Sequence, residues 1–425
     1  MLTIEGNLVN LDKTVRGRIE IGNDGLISNV SGPNGQADLV FGQELVFPGF
    51  VDIHVHAREC ADHSWDYKED FMTAGQAALN GGVVAFADMP NNPVPPVDEK
   101  SYAEKLRLAE KSAVDVLLYA GIGPKTSPLG EKVPYKVFMG KSVGELYFSS
   151  MGDLDAALSK FSGQSVSFHC EDPEILEADK NQPTHALRRP PEAELSAIDF
   201  ALGFIKKYNL IGKICHCSTA EGMEKIAAAK QAGLSVTVEV TPAHLFFDNE
   251  TSAADKNPFL QINPPVRQTQ KNRLALIAAL KKGDIDYLAT DHAPHTIGEK
   301  ENGMSGIPQL DTFGSFASWL MAEHGFTAQE IARVCAYNPG KFMNNFMPIK
   351  FGEIKTGFAG CLTVLNMDRP VIISKTTLKT KCGWSPFEGF EFSGSVAATI
   401  IRGKVYRRET IKVPRSRAGE VLTAR

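Results

Sequence analysis

No two of the seven cysteines (Cys60, Cys170, Cys215, Cys217, Cys335, Cys361 and Cys382) stand in a Cys-x-x-Cys pair. With an odd count as well, a disulfide framework is excluded, and reduced, mostly buried thiols are expected. No apolar run approaches the roughly 20 residues that a membrane-spanning helix needs. The opening MLTIEGNLVN lacks a basic segment followed by an apolar one, so no secretory signal is expected and the cytoplasm is the expected compartment. Excess positive charge is missing too: Lys+Arg is 45 against Asp+Glu 50, a net charge of -5. That balance gives no reason to expect nucleic acid or an acidic membrane as partner. Solenoid-period repeats and low-complexity tracts are absent. No Gly-x-Gly-x-x-Gly follows the first long apolar strand, which argues against a doubly wound dinucleotide-binding fold.

What is present describes an ordinary globular chain, 43% hydrophobic and 22% charged over 425 residues, long enough for one large domain and one small one. The first fifty residues read as short strands broken by Gly and Asn-Asp-Gly turns. From Val51 to Met347 the pattern changes to short apolar strands alternating with helical stretches. Eight strands are expected: VDIHV, VVAFADM, VDVLLYA, YKVFM, SVSFH, KICH, SVTVEV and DYLAT. EDFMTAGQAAL, AEKLRLAEKS, DLDAALSKF, ELSAIDFALGFIKKY, EGMEKIAAAKQA and KNRLALIAALKKG are the expected helices between them. Eight such units predict an α/β fold of the (β/α)8 TIM-barrel type, for which roughly 250 residues is typical. Beyond Asn338-Pro339 strands return. The expected division is a barrel over 51–347 and a composite β-sandwich from 1–50 and 348–425. The basic tail from Arg407 onward is expected to be a solvated terminus or a subunit contact.

The chemistry lies at the strand ends. In Asp52-Ile53-His54-Val55-His56, alternation puts His54 and His56 on one side, about 7 Å apart along the strand and able to converge on one metal ion. Taken alone, such a pair is as readily structural. The fourth strand carries Lys136, the fifth ends in His169, the sixth in His216 and the eighth in Asp291. All sit near C-terminal strand ends, the face on which barrel enzymes build their sites. Four histidines and a carboxylate suit zinc, with manganese or cobalt also accommodated. Lys136, in the apolar run YKVFMG, is either a snorkelling or ion-paired lysine, or a neutral amine that adds carbon dioxide to give a carbamate able to bridge two dications. The surrounding ligands favour the carbamate. By alternation, Cys215 and Cys217 should point away from the face of His216 and serve as apolar packing.

The runs PGFVDIHVHAR, YKVFMG, FHCED, ICHCST, EVTPAHL, INPPVR, ATDHAPHT and GIPQLDT resemble, in order and spacing, the cyclic amidohydrolases, and among them the dihydroorotases. NPGKFM, GEIKTGFAGCLTVL, SPFEG and GSVAATIIRGKVY extend the likeness almost to the end of the chain. This resemblance implies two zinc ions, with His54, His56 and Asp291 on the more buried one and His169 and His216 on the other. Lys136 matches the carboxylated bridging lysine (N6-carboxylysine). A metal would polarise the ring carbonyl, and Asp291, as catalytic residue, would move the proton from the attacking water to the departing amide nitrogen.

Arg58, Asn92 and His295 are similar to the residues that grip the substrate carboxylate, Asn263 matches a ring contact, and Gly306 is expected to line the pocket through its backbone. The resemblance implies a small-molecule substrate and a homodimer. Hydantoinases and dihydropyrimidinases share the metal residues but lack the arginine matching Arg58. They and allantoinase are the alternative enzymes, and a metal-free scaffold is the alternative outside enzymes. The loop after Arg58 departs from the family: the usual Glu-Pro-Gly is replaced by Glu59-Cys60-Ala61 and a longer segment to Asp70, at the border of the expected pocket. His244 is expected in the core, His292 facing away from the metals, His324 at the surface, and His63 and His185 in barrel loops.

Overall fold

The computed structural model of the chain describes residues 1–141 and 146–407; all of the basic tail but Arg407 lies outside the described residues. Four strands come first, β1 (Leu2–Val9), β2 (Thr14–Ile21), β3 (Ile27–Ser31) and β4 (Leu39–Pro48). A parallel series follows: β5 (Phe50–Val55), β6 (Val83–Asp88), β7 (Asp115–Leu118), β8 (Ala120–Gly121) and β9 (Tyr135–Phe138). It continues through β10 (Ser165–His169), β11 (Ile211–Ile214), β12 (Val236–Val240) and β13 (Tyr287–Leu288). Then come β14 (Leu362–Asn366), β15 (Val371–Ile372), β16 (Glu391–Phe392), β17 (Ser395–Ile401) and β18 (Lys404–Tyr406).

The strands of the parallel series read as near-continuous apolar runs because both of their faces are buried. They pair in sequence order, β5-β6-β7 and β8 through β13. β7 and β8 are one expected strand, VDVLLYA, interrupted at Tyr119, whose N–H donates to Asp88 O at 3.0 Å. Helices at 71–80, 99–109, 151–158, 191–207, 220–231 and 270–282 connect them, where the sequence pattern places them. The first is delimited by local chemistry. Asp70 accepts from the N–H of Thr73 at 2.8 Å as N-cap. At the other end a Cβ on Gly81 would meet Leu310 O at 1.9 Å, so only glycine lets the helix stop against that segment. The result is a TIM-barrel-like α/β fold.

The N-terminal strands and the last described strands meet in one mixed sheet of seven strands, β18-β17-β14-β4-β1-β2-β3. It has its own apolar cluster, including Ile4, Ile19, Val46, Leu362 and Ile400. Polar ties fasten it to the parallel layer. Thr363 Oγ1 accepts from Phe50 N–H at 2.8 Å and donates to Gly82 O at 2.5 Å, and Arg402 pairs with buried Asp115 at 2.8 Å. Among the described residues no helix is long and apolar enough to cross a membrane.

Candidate active site

The five strand-end residues and Lys136 come together at the C-terminal mouth of the parallel strands. His54 Nε2 and His56 Nε2 lie 3.2 and 2.9 Å from one oxygen, Asp291 Oδ1. His169 Nδ1 and His216 Nε2 face each other at 2.9 Å. The rings of His54 and His216 are 5.3 Å apart, which joins the two groups into one cluster. Two of these residues depend on unusual backbone: His216 has φ +34° and Asp291 φ +47°. Left-handed residues end the alternation of their strands and turn both side chains into the mouth.

Burial, with the nearby Lys136 ammonium adding to it, pushes the pKa of His54 and His216 well down; burial and the Arg58 charge do the same for His56. Neutral imidazoles are the form that binds metal. Burial pushes the Asp291 carboxyl up to about 7, against the pull of Lys136. Lys136 is fully buried and has no carboxylate within ion-pairing distance among the described residues. Its Nζ donates instead to Cys215 Sγ at 2.8 Å. This corrects the expectation for Cys215, which faces the site. Lys213 and Cys215 point into the barrel, and the left-handed turn at His216 brings the next residue to the same place. Cys217 does face away, its thiol donating to Thr219 O.

Two carboxylates that the sequence analysis did not single out fix the ring orientations. Glu239, fully buried on β12, binds His54 Nδ1 with one oxygen and Lys213 Nζ with the other. Glu171 lies 2.7 Å from His169 Nε2. Burial would raise Glu171, but Arg189 and His169 outweigh it and hold its carboxyl at about 2. A carboxylate on one ring nitrogen keeps the proton there and leaves the other nitrogen as donor to a metal. For Glu239 the signal was available: a lone acid inside SVTVEV is as anomalous as the lysine in YKVFMG. Neutral imidazoles, a carboxylate and a buried amine without a counter-ion fit divalent cations and a carbamate.

A narrow pocket of about 30 Å³ opens beside this cluster, walled by Arg58, Asn91, Phe138, Asn263 and Gly306 as well as the histidines and Asp291. Arg58 is buried with φ +65°; its Nε donates to Pro294 O, while Nη1 finds no hydrogen-bond partner. Asn263 Oδ1 is likewise buried without a donor. Gly306 has φ +127° and spends its N–H on Gln261 O, so its carbonyl is what remains for a ligand.

Asn92 is not in the wall. Its amide donates to the carbonyls of Arg58 and Glu59, its Oδ1 accepts from Lys105, and the neighbouring Asn91 takes the pocket position. His295 stands behind Arg58, Nε2 3.1 Å from Nη2, with Lys68 Nζ 3.4 Å from its other nitrogen. Burial and these cations push its pKa far down, so it meets Arg58 as a neutral ring. His244 is tied to Pro264 O and Thr241, His292 accepts from the Gln309 and Leu310 N–H groups, and His185 binds Ile262 O. His324 is partly exposed beside Trp319, and exposed His63 pairs with Asp66.

Known proteins resemble the chain over nearly its whole length. The profile of the amidohydrolase family matches residues 153–406, and that of the dihydro-orotase-like family residues 43–136. A dihydroorotase of Pyrococcus furiosus is 33% identical, covering 99% of this chain and 96% of its own. One from Thermococcus kodakarensis is 34% identical over 95% and 94%. Among solved structures, an L-hydantoinase (dihydropyrimidinase) from Arthrobacter aurescens superposes with a TM-score of 0.90 over all of both chains at 24% identity. A D-hydantoinase from a Thermus species gives 0.83 at 22%. At such identities these two speak for the fold alone.

Proposed function

The chain belongs to the dihydroorotase-like branch of the metal-dependent amidohydrolase family, and from that premise we propose that it interconverts dihydroorotate and N-carbamoyl-L-aspartate by hydrolysing the ring amide. The observation that carries this reading is Arg58: a buried cation beside the histidine cluster, with a guanidinium nitrogen that the protein leaves unused. An unpaired buried donor is costly unless a ligand engages it, and a ring carboxylate is the matching acceptor. Hydantoin carries no such group and would leave Arg58 idle.

In this reading His54, His56 and Asp291 would hold one zinc ion, His169 and His216 would hold the second, and Lys136, once carboxylated by carbon dioxide, would supply a further anionic ligand. Such ions would supply Lewis acidity at the ring carbonyl. The rest belongs to the chain. Asp291 takes the proton of the attacking water and returns it to the ring nitrogen as the carbon–nitrogen bond breaks. Arg58 fixes the carboxylate, held in position by neutral His295. Asn91 replaces Asn92 as its companion, Asn263 Oδ1 accepts a ring N–H, and the Gly306 carbonyl borders the ring. Glu239 and Glu171 are positioning residues for His54 and His169.

The finer architecture belongs to the same proposal. The two parallel sheets form one closed eight-stranded barrel over 51–347, a reading supported by the β7–β8 continuity and by the parallel bridge from Val55 to His292. Residues 1–50 and 348–407 form the composite sandwich, supported by an apolar cluster that draws on both halves of the seven-stranded sheet, and the rest of the expected segment, to 425, lies outside the described residues. A homodimer and a cytoplasmic location complete the proposal. The test is a panel of cyclic ureides with and without a ring carboxylate, on zinc-loaded protein. Dihydroorotate should be turned over well and hydantoin poorly. Arg58→Ala should weaken dihydroorotate at least tenfold, for a charge-assisted hydrogen bond of roughly 1.5–3 kcal/mol, and leave hydantoin unchanged. Good hydantoin turnover with none of dihydroorotate ends the reading.

A further inference from the structure

A second cavity, about 290 Å³, lies at the opposite end of the parallel strands from the histidine cluster. Its walls are strand beginnings (Ser165, Ile211, Thr237, Tyr287) and the helix and turn at 338–346. Phe342 and Phe346, 5.4 Å apart, give it aromatic surface. Lys132 and Lys341 stand exposed at its rim, and neither is in an ion pair among the described residues. Lys132 Nζ lies 5.8 Å from the Phe346 ring. The acid in the wall, Asp286, is already neutralised by Lys230. An apolar, aromatic recess rimmed by two unpaired cations suits a small planar anion.

The inner wall includes Lys213, which is 2% exposed and lies 5.6 Å from the Phe342 ring. Lys213 Nζ is 2.5 Å from one oxygen of Glu239, and the other oxygen of Glu239 holds His54. One buried carboxylate is thus shared between the floor of the barrel and a residue of the proposed metal site. We propose that the floor cavity binds a small aromatic carboxylate or phosphate ester and that this binding is transmitted through Lys213 and Glu239 to His54.

An anion drawing on Lys213 leaves Glu239 more negative toward His54 Nδ1–H, and a more strongly hydrogen-bonded imidazole is the better metal donor. Direct attraction between the anion and dications at the mouth has the same sign. The bound anion therefore tightens metal retention, and linkage requires metal to tighten anion binding by the same factor. The coupling rests on the proposed metal site, whereas the binding itself does not.

The probes are benzoate, phenyl phosphate and the neutral benzamide, titrated calorimetrically into the full-length protein, zinc-loaded and chelator-stripped. Either anion should bind the loaded protein at least threefold more tightly than the stripped protein and slow zinc release to a chromogenic chelator at least threefold. It should not compete with dihydroorotate, and benzamide should not bind. The surface variant Lys132→Met/Lys341→Met, distant from the active site, should keep full turnover and lose at least tenfold in anion affinity. Binding that competes with dihydroorotate, that the double variant leaves intact, or that benzamide matches would overturn the site. Binding with equal affinity to loaded and stripped protein would overturn the coupling, and dihydroorotate turnover separates either failure from failure of the enzymatic reading.

Discussion

Asn91 and Asn92 are adjacent in Met-Pro-Asn-Asn-Pro, yet one faces the pocket and the other is consumed by the backbone of Arg58 and Glu59. Nothing in the motif itself says which amide turns inward; that depends on the left-handed backbone at Arg58, which brings its carbonyl to Asn92. Asn92→Ala should lower the melting temperature by several degrees, for roughly 1–3 kcal/mol of unsatisfied buried carbonyls and lysine. Asn91→Ala should leave the melt in place and raise KM for dihydroorotate severalfold. Thermal melts and steady-state kinetics on the pair check this, and the opposite pattern would restore Asn92 to the substrate. His54, His56, Lys136, His169, His216 and Asp291 were legible because each breaks the apolar logic of a strand end. The roles of Cys215 and His295 were not, because they depend on neighbours from other strands and loops: Lys136 for one, Arg58 and Lys68 for the other.

At the scale of elements, periodicity located all eight parallel strands and six of the helices between them. It failed at Cys215, because the strand ends in left-handed backbone at His216 and alternation stops there. The loop from Glu59 to Asp70 shows what replaces the family's tight turn. Lys68 is buried 2.8 Å from Glu299, Tyr67 donates to the same carboxylate at 2.7 Å, and Trp65 lies over the Lys68 ammonium at 4.4 Å. This latch holds Lys68 against His295, and so bears on Arg58. Burial would raise Glu299, but Lys68 and Tyr67 prevail and hold its carboxyl at about 2. A carboxyl whose folded-state pKa is depressed adds stability above its ordinary value near 4.5 and loses it as pH falls toward 2. Between pH 5 and 3 the melting temperature of the wild type should therefore fall more steeply than that of Glu299→Gln. Parallel slopes would remove the latch from the account.

For the whole molecule, the seven-stranded sheet and the parallel layer are fastened by buried polar groups as well as by apolar packing. The shared β character of the first and last segments is legible in the sequence, but the pairing of β4 with both β1 and β14 is a long-range register that no local pattern carries. Arg402 reaches from the end of β17 to Asp115 at the start of β7. Arg402→Met should cost about 3 kcal/mol, as breaking a buried pair does, and lower the melting temperature by at least about 5 °C. Zinc content and kcat at low temperature should not change. An unchanged melt would make this tie irrelevant to cohesion.

The central claim is that six residues from five strands and the segments just beyond them gather two dications around a carboxylated lysine. An anomalous-difference map at the zinc edge, on crystals grown with zinc and bicarbonate, tests it most directly. The expected map has two peaks at the strand mouth, one by His54, His56 and Asp291 and one by His169 and His216, with carbamate density on Lys136 between them. A single peak or none, with the Lys136 amine still resting on Cys215, would contradict it.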